Sequence, residues 1–178
     1  MNDQLSAPFI LERRFAAPRE LVYAALTEAK HLARWMAPPG MALSHCTVEA
    51  TVGGAFHYAM RPLGMADVPA MWGKWTFREL TAPARVVVVV QFSDRDGGVS
   101  RHPMAASWPL TTLSTTTLSA STDAPAGTVM RIEWCAMNAS AAERACFDAA
   151  HAGMAQGWGG TMDGLDRYLA EVLARSPQ

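Results

Sequence analysis

The sequence predicts an α+β fold: an antiparallel sheet of about seven strands followed by a long C-terminal helix, in the order β-α-α-β6-α. Three observations predict it. Apolar residues alternate with period two from about residue 41 to 137, and they recur with the helical period from 147 to 172. The length, 178 residues, exceeds what a stapled mini-fold needs and falls short of two average domains. The expected division is an N-terminal tail at 1–8, one domain at 9–174 and a C-terminal tail at 175–178.

Residues 9–15 (FILERRF) form a short mixed apolar segment suited to an opening strand. Pro18 fits a first helical position, where its missing N–H costs nothing. Leu21, Val22, Ala25 and Leu26 then make a one-sided stripe. A second short helix starts near Thr27 as its cap, carries Leu32 and Trp35, and ends at Pro38-Pro39-Gly40. Strands follow around 43–50, 56–61, 70–80, 86–92, 110–120 and 128–137, the first two divided by Gly53-Gly54 and the last two by a turn at 123–127. Consecutive strands joined by short turns are mostly antiparallel. Ser140 and Glu143 have capping-box spacing and open the helical tail. Phe147, His151, Met154, Trp158, Met162, Leu165, Leu169 and Val172 line one face of that tail, and Asp163, Arg167 and Glu171 form a charge ladder on another. An unbroken helix of this length would run roughly 50 Å, so a break is expected near Ala152-Gly153. Gly153, Gly157, Gly160 and Gly164 make a second stripe, which implies either a closely approaching backbone or open space.

Composition excludes several classes. Fifteen basic residues against sixteen acidic give no electrostatic footprint for nucleic acid. The longest aliphatic run, residues 86–90, is too short for membrane insertion. The start lacks a basic region followed by an apolar one, so a cytoplasmic location is expected. Cys46, Cys135 and Cys146 form no CxxC pair and no disulfide framework. His45 and His57 lie on neighbouring strands, but no carboxylate or thiolate at ligand spacing completes a metal site. His31 and His102 read as surface or loop residues. Without a GxGxxG, Walker or GxSxG pattern, no cofactor is expected and no nucleophile elbow is present.

Several segments carry a family resemblance. Residues 17–27 (APRELVYAALT), Leu32-Ala33-Arg34-Trp35-Met36, Gly53-Gly54-Ala55-Phe56 with Met60-Arg61, residues 75–80 with Pro83-Ala84-Arg85-Val86, and Gly157-Trp158 with Leu165 and Tyr168-Leu169 occur in order over about residues 9–173. Together they resemble the family of homologues of the activator of heat-shock-protein ATPase, within the START-like (SRPBCC) superfamily. The resemblance implies the helix-grip fold, a curved sheet wrapped around the C-terminal helix with a cavity between them. Met36 stands where the family often has a second Trp, and residues 49–52 (EATV) lack the usual Arg of that stretch. Thr112, Ser114 and Thr116 replace larger apolar residues, so an inward-facing set would give a wider, hydroxyl-lined interior.

The expected cavity walls come from the inward strand positions and the helix stripe. Trp35, Phe56, Tyr58, Met60, Trp75 and Phe77 form one part. Ser114, Thr116, Met130, Trp134, His151, Met154 and Trp158 form the other. Their chemistry suits a small hydrophobic or aromatic ligand, bound without catalysis and oriented by hydroxyls and indole N–H groups. Arg61 and Arg101, in loops that the resemblance places at the entrance, are positioned to meet an anion. An alternative is a polyketide cyclase or aromatase reaction, for which His151 and Tyr58 are the candidate acid–base pair. A third reading is an interaction module, with a chaperone partner suggested by the family name alone or a homodimer as the assembly.

Overall fold

The computed structural model describes residues 4–122 and 126–175. The opening strand β1 spans Phe9–Phe15 and is followed by helices α1 (Arg19–Thr27) and α2 (Ala29–Trp35). Six strands follow: β2 (Met41–Val48), β3 (Ala55–Pro62), β4 (Met71–Thr81), β5 (Arg85–Ser93), β6 (Thr112–Ala120) and β7 (Thr128–Ala136). The chain closes with α3 (Ala141–Ala149) and α4 (His151–Arg175). The strands form one curved antiparallel sheet in the order β1-β7-β6-β5-β4-β3-β2. The opening strand therefore pairs with the last one, and β1 and β2 are the edges. This is the helix-grip architecture. Residues 1–3 of the expected N-terminal tail, residues 176–178 of the expected C-terminal tail and the turn residues 123–125 lie outside the described residues.

The main core joins one face of the sheet to α1, α2 and the second half of α4. Phe56, Phe77, Leu118 and Met130 from the sheet meet Val22, Leu32, Met162, Leu165 and Leu169 from the helices, all of them buried. Trp35 ties the two short helices together, its indole Nε1–H donating to the Ala25 carbonyl at 2.9 Å. A smaller core of Phe9, Ala136 and Phe147 sits at the other end of the helical tail, with Trp108, Trp134 and Met154 packed on it.

Four local expectations are corrected. Pro18 is the N-cap of α1 in an extended conformation, one residue before the first helical position. Glu28 rather than Thr27 precedes α2, because the Thr27 hydroxyl back-bonds to the Tyr23 carbonyl at 2.9 Å inside α1. The helical tail breaks at Ala150, earlier than expected, after a capping box at Ser140 and Glu143 that does form. Asp163 and Glu171 use their charge between elements, Asp163 on Arg13 and Glu171 on Arg34 at 3.8 Å, with Arg175 also 3.8 Å from Glu171. Asp163 thus pairs between elements, and Glu171 shares its charge between Arg34 and the i, i+4 partner Arg175.

Candidate ligand cleft

Two spaces lie between sheet and helix. The inner one measures about 30 Å³ and is lined by Trp35, Trp75, Ser114, Thr116, Trp134 and Trp158, with Val86, Val88, Val90 and Ile132 behind them. That is room for a water molecule and no more. Ser114 and Thr116 do face inward as a hydroxyl pair, but the interior is not wide, because four indoles occupy the space that the short side chains leave. The outer space is a cleft of about 620 Å³ at the end of the sheet where β3 and β5 finish. Tyr58, Met60, Met71, Phe92, His102 and Trp108 line it on the sheet and loop side. Ala149, Ala150, Gly153, Met154, Gly157 and Trp158 line it on the helical side. No Asp, Glu, Lys or Arg borders it.

Trp134 and Trp158 border both spaces and form the partition between them, their rings edge-to-face at 5.6 Å. The Trp134 Nε1–H is buried and has no hydrogen-bond partner. Tyr58 reaches the cleft because its cross-strand neighbour is glycine. A Cβ on Gly73 would sit 2.5 Å from the Tyr58 ring and hydroxyl. Tyr58 packs against Phe56 at 4.7 Å, and burial pushes its phenol up to about 12, opposed by a hydrogen bond with Trp75. The phenol is therefore neutral through the physiological range.

The glycine stripe splits in two. A Cβ on Gly153 or Gly157 would meet nothing within 4 Å, so these positions open onto the cleft. Gly160 lies 3.4 Å from the Pro39 ring and Gly164 lies 3.6 Å from the Trp35 carbonyl, measured from the same virtual atom. Both expected causes of the stripe are present, one in each half.

Of the expected wall residues, Trp35, Trp75, Ser114 and Thr116 line the inner space, Tyr58, Met60 and Met154 the cleft, and Trp134 and Trp158 both. Phe56, Phe77 and Met130 are fully buried and act as core. His151 borders neither space. Its ring packs on Phe9 at 5.5 Å and on Phe147 at 5.2 Å, and its Nε2 is 3.9 Å from the Asp148 carboxylate. Tyr58 and His151 do not meet, so they do not form an acid–base pair across one void. The two arginines expected at the entrance serve the protein itself: Arg61 Nη1 donates to the Ala66 carbonyl and Arg101 Nη1 to Glu143, each at 2.7 Å.

Two histidines differ from their sequence reading. His31 is buried, with its Nδ1 2.7 Å from the Tyr168 hydroxyl. His102 is a wall of the cleft, wedged between Phe92 at 4.5 Å and Trp108 at 5.7 Å. Burial holds both rings below the usual histidine range. The Met104 backbone N–H donates to His102 Nδ1 at 3.0 Å. The signal missed in the sequence is two aromatic-type rings, His102 and Trp108, inside a Pro- and Gly-rich loop where solvation alone requires neither.

Residues 16–170 match the family model of activator of Hsp90 ATPase homolog 1-like proteins. The chain belongs to this family. No curated protein matches it. A protein from Nitrosomonas europaea superposes with a TM-score of 0.67 at 22% identity, covering 97% of this chain and 96% of the other. One from Staphylococcus epidermidis gives 0.71 at 18%, covering 100% and 99%. An AHSA1 protein from Silicibacter pomeroyi gives 0.66 at 16%, covering 95% and 98%. At these identities the structures share the family's fold and say nothing of a ligand. Among the described residues, no helix is long and apolar enough to cross a membrane.

Proposed function

We propose that the chain binds a small hydrophobic or aromatic molecule, without catalysis, in the outer cleft rather than in the inner cavity. The observation that carries this reading is the pairing of an uncharged aromatic and methionine wall with two helix positions, Gly153 and Gly157, that oppose it with empty space. Burying apolar ligand surface there stabilises the complex by about 25 cal/mol per Å², less the cost of immobilising the ligand. Met60, Met71 and Met154 give the wall an adaptable surface. The test is titration with Nile red. One molecule per chain is expected to bind with enhanced emission, and a Gly153→Leu/Gly157→Leu double variant is expected to lose it. Undiminished binding in that variant removes the cleft as the site.

A second reading has its own support. Leu63, Met65, Val68, Val99, Met104 and Leu110 are exposed, and all lie on the β3–β4 and β5–β6 connections at the cleft end, with Met104 87% exposed. Such a rim suits an interaction module, either a homodimer or a chaperone contact. A concentration-dependent mass in light scattering that Leu63→Asp/Met104→Asp abolishes would support the dimer. A monomer at all concentrations would remove it.

A further inference from the structure

We infer that the cleft selects a ligand carrying a hydrogen-bond acceptor, such as a carbonyl on an aromatic body, and that the His102 Nε2–H and the Trp134 Nε1–H recognise it. This rests on the cleft being the binding site and names the chemistry it prefers.

Both groups are donors for structural reasons. The Met104 N–H occupies the Nδ1 lone pair of His102, so in the neutral ring the proton sits on Nε2. Phe92 and Trp108 fix the ring plane, and the contact seen among the described residues at 3.0 Å is to Nδ1 rather than Nε2. With its affinity for a second proton lowered by burial, the ring is a neutral donor near pH 7. An indole Nε1–H can only donate, and that of Trp134 is buried without a partner in the partition that ends the cleft. An unsatisfied buried donor is destabilising, so an occupant that accepts from it recovers stability that a pure hydrocarbon does not. Tyr58 reinforces the bias, since its oxygen is already engaged by Trp75. The wall offers no carboxylate to receive a ligand cation.

The experiment compares 2-acetylnaphthalene with 2-isopropenylnaphthalene, which replaces the carbonyl oxygen by CH₂ at nearly constant shape. The wild-type protein is expected to bind the ketone roughly fivefold tighter, the worth of one net hydrogen bond. His102→Phe keeps the stacking and removes the donor, and Trp134→Phe does the same at the partition. Each is expected to shrink the ratio of ketone to alkene affinity, whatever change in packing it imposes on both probes in common. A ¹³C=O-labelled ketone adds a readout independent of the variants, because its infrared band shifts to lower frequency when the carbonyl accepts a hydrogen bond. Equal binding of both probes, or an unshifted band, overturns this inference and leaves the cleft as a hydrophobic site. Failure of both probes to bind overturns the cleft reading as well.

Discussion

The two halves of α4 carry the same apolar spacing and do different work. From Thr161 to Leu169 the helix is clamped: Thr161, Met162, Leu165 and Leu169 are buried, and Gly160 and Gly164 face Pro39 and the Trp35 carbonyl. From His151 to Trp158 it is a wall: Met154 and Trp158 are only partly covered, and Gly153 and Gly157 face open space. Stability is concentrated in one half and access in the other. This is the division expected when binding surfaces are drawn from the less tightly packed parts of a fold.

The largest effect should fall on the clamped half. Leu165→Ala removes a fully buried side chain and is expected to cost about 2–5 kcal/mol in urea unfolding. Met154→Ala, on the wall, should cost about 1 kcal/mol or less. Equal losses at the two positions would show that the helix is uniformly packed and that the cleft is closed in solution.

A smaller contrast uses the glycines. Gly164→Leu drives a side chain towards the Trp35 carbonyl and is expected to destabilise by about 1–3 kcal/mol. At Gly157 a Cβ meets nothing within 4 Å and the substitution gains helix propensity, so Gly157→Leu should stabilise by up to about 1 kcal/mol. Thermal unfolding of the two variants checks the opposite signs, and a loss in both would contradict the open space at Gly157.

How much of this was legible in the sequence follows from the same division. Alternation in residues 56–60 and 130–134 assigned strands and inward faces, because a pleated strand has one period and one buried side. The capping box at Ser140 was legible because its residues are local. Filled and empty space could not be told apart, because Phe56, Phe77 and Met130 have the same pattern as Tyr58, Met60 and Met154. Only three-dimensional packing shows that the first set lies wholly in the core with Val22, Leu32 and Leu165 while the second also borders the cleft. His102 and Trp108 were hidden for a further reason. Loop residues have no period, and the ring contacts that seat them, His102 on Phe92 and Trp108 on Phe147, follow no local repeat.

The smallest contrast is in pH, and it sets His31 in the clamp against His102 in the wall. Burial lowers the affinity of both rings for a proton on folding. A base whose folded value is depressed contributes stability that is complete above its unfolded value, near 6.5. That contribution declines as pH falls through the folded value, because the unfolded chain then binds more protons. Below the folded value the loss stops growing. His31→Gln and His102→Gln should therefore each flatten the fall in unfolding free energy between about pH 7 and 5. The two should differ in what accompanies the change. His31 joins α2 to α4 through Tyr168, so its protonation is felt inside the clamp and should leave probe binding unchanged, whereas His102 protonates at the cleft and should alter probe binding over the same range. Glu143 acts at lower pH and in the opposite chemical sense. The Ser140 backbone N–H and the Arg101 guanidinium hold its carboxyl down to about 2, so the stability it adds is complete above its ordinary 4.5 and is lost as pH falls towards 2. An acid-unfolding profile with one shoulder below pH 6.5 that the histidine variants remove, and another below 4.5 that Glu143→Gln removes, separates the three groups. A single transition unaffected by either histidine variant would show that the two rings are hydrated in solution, and with them the wall of the cleft.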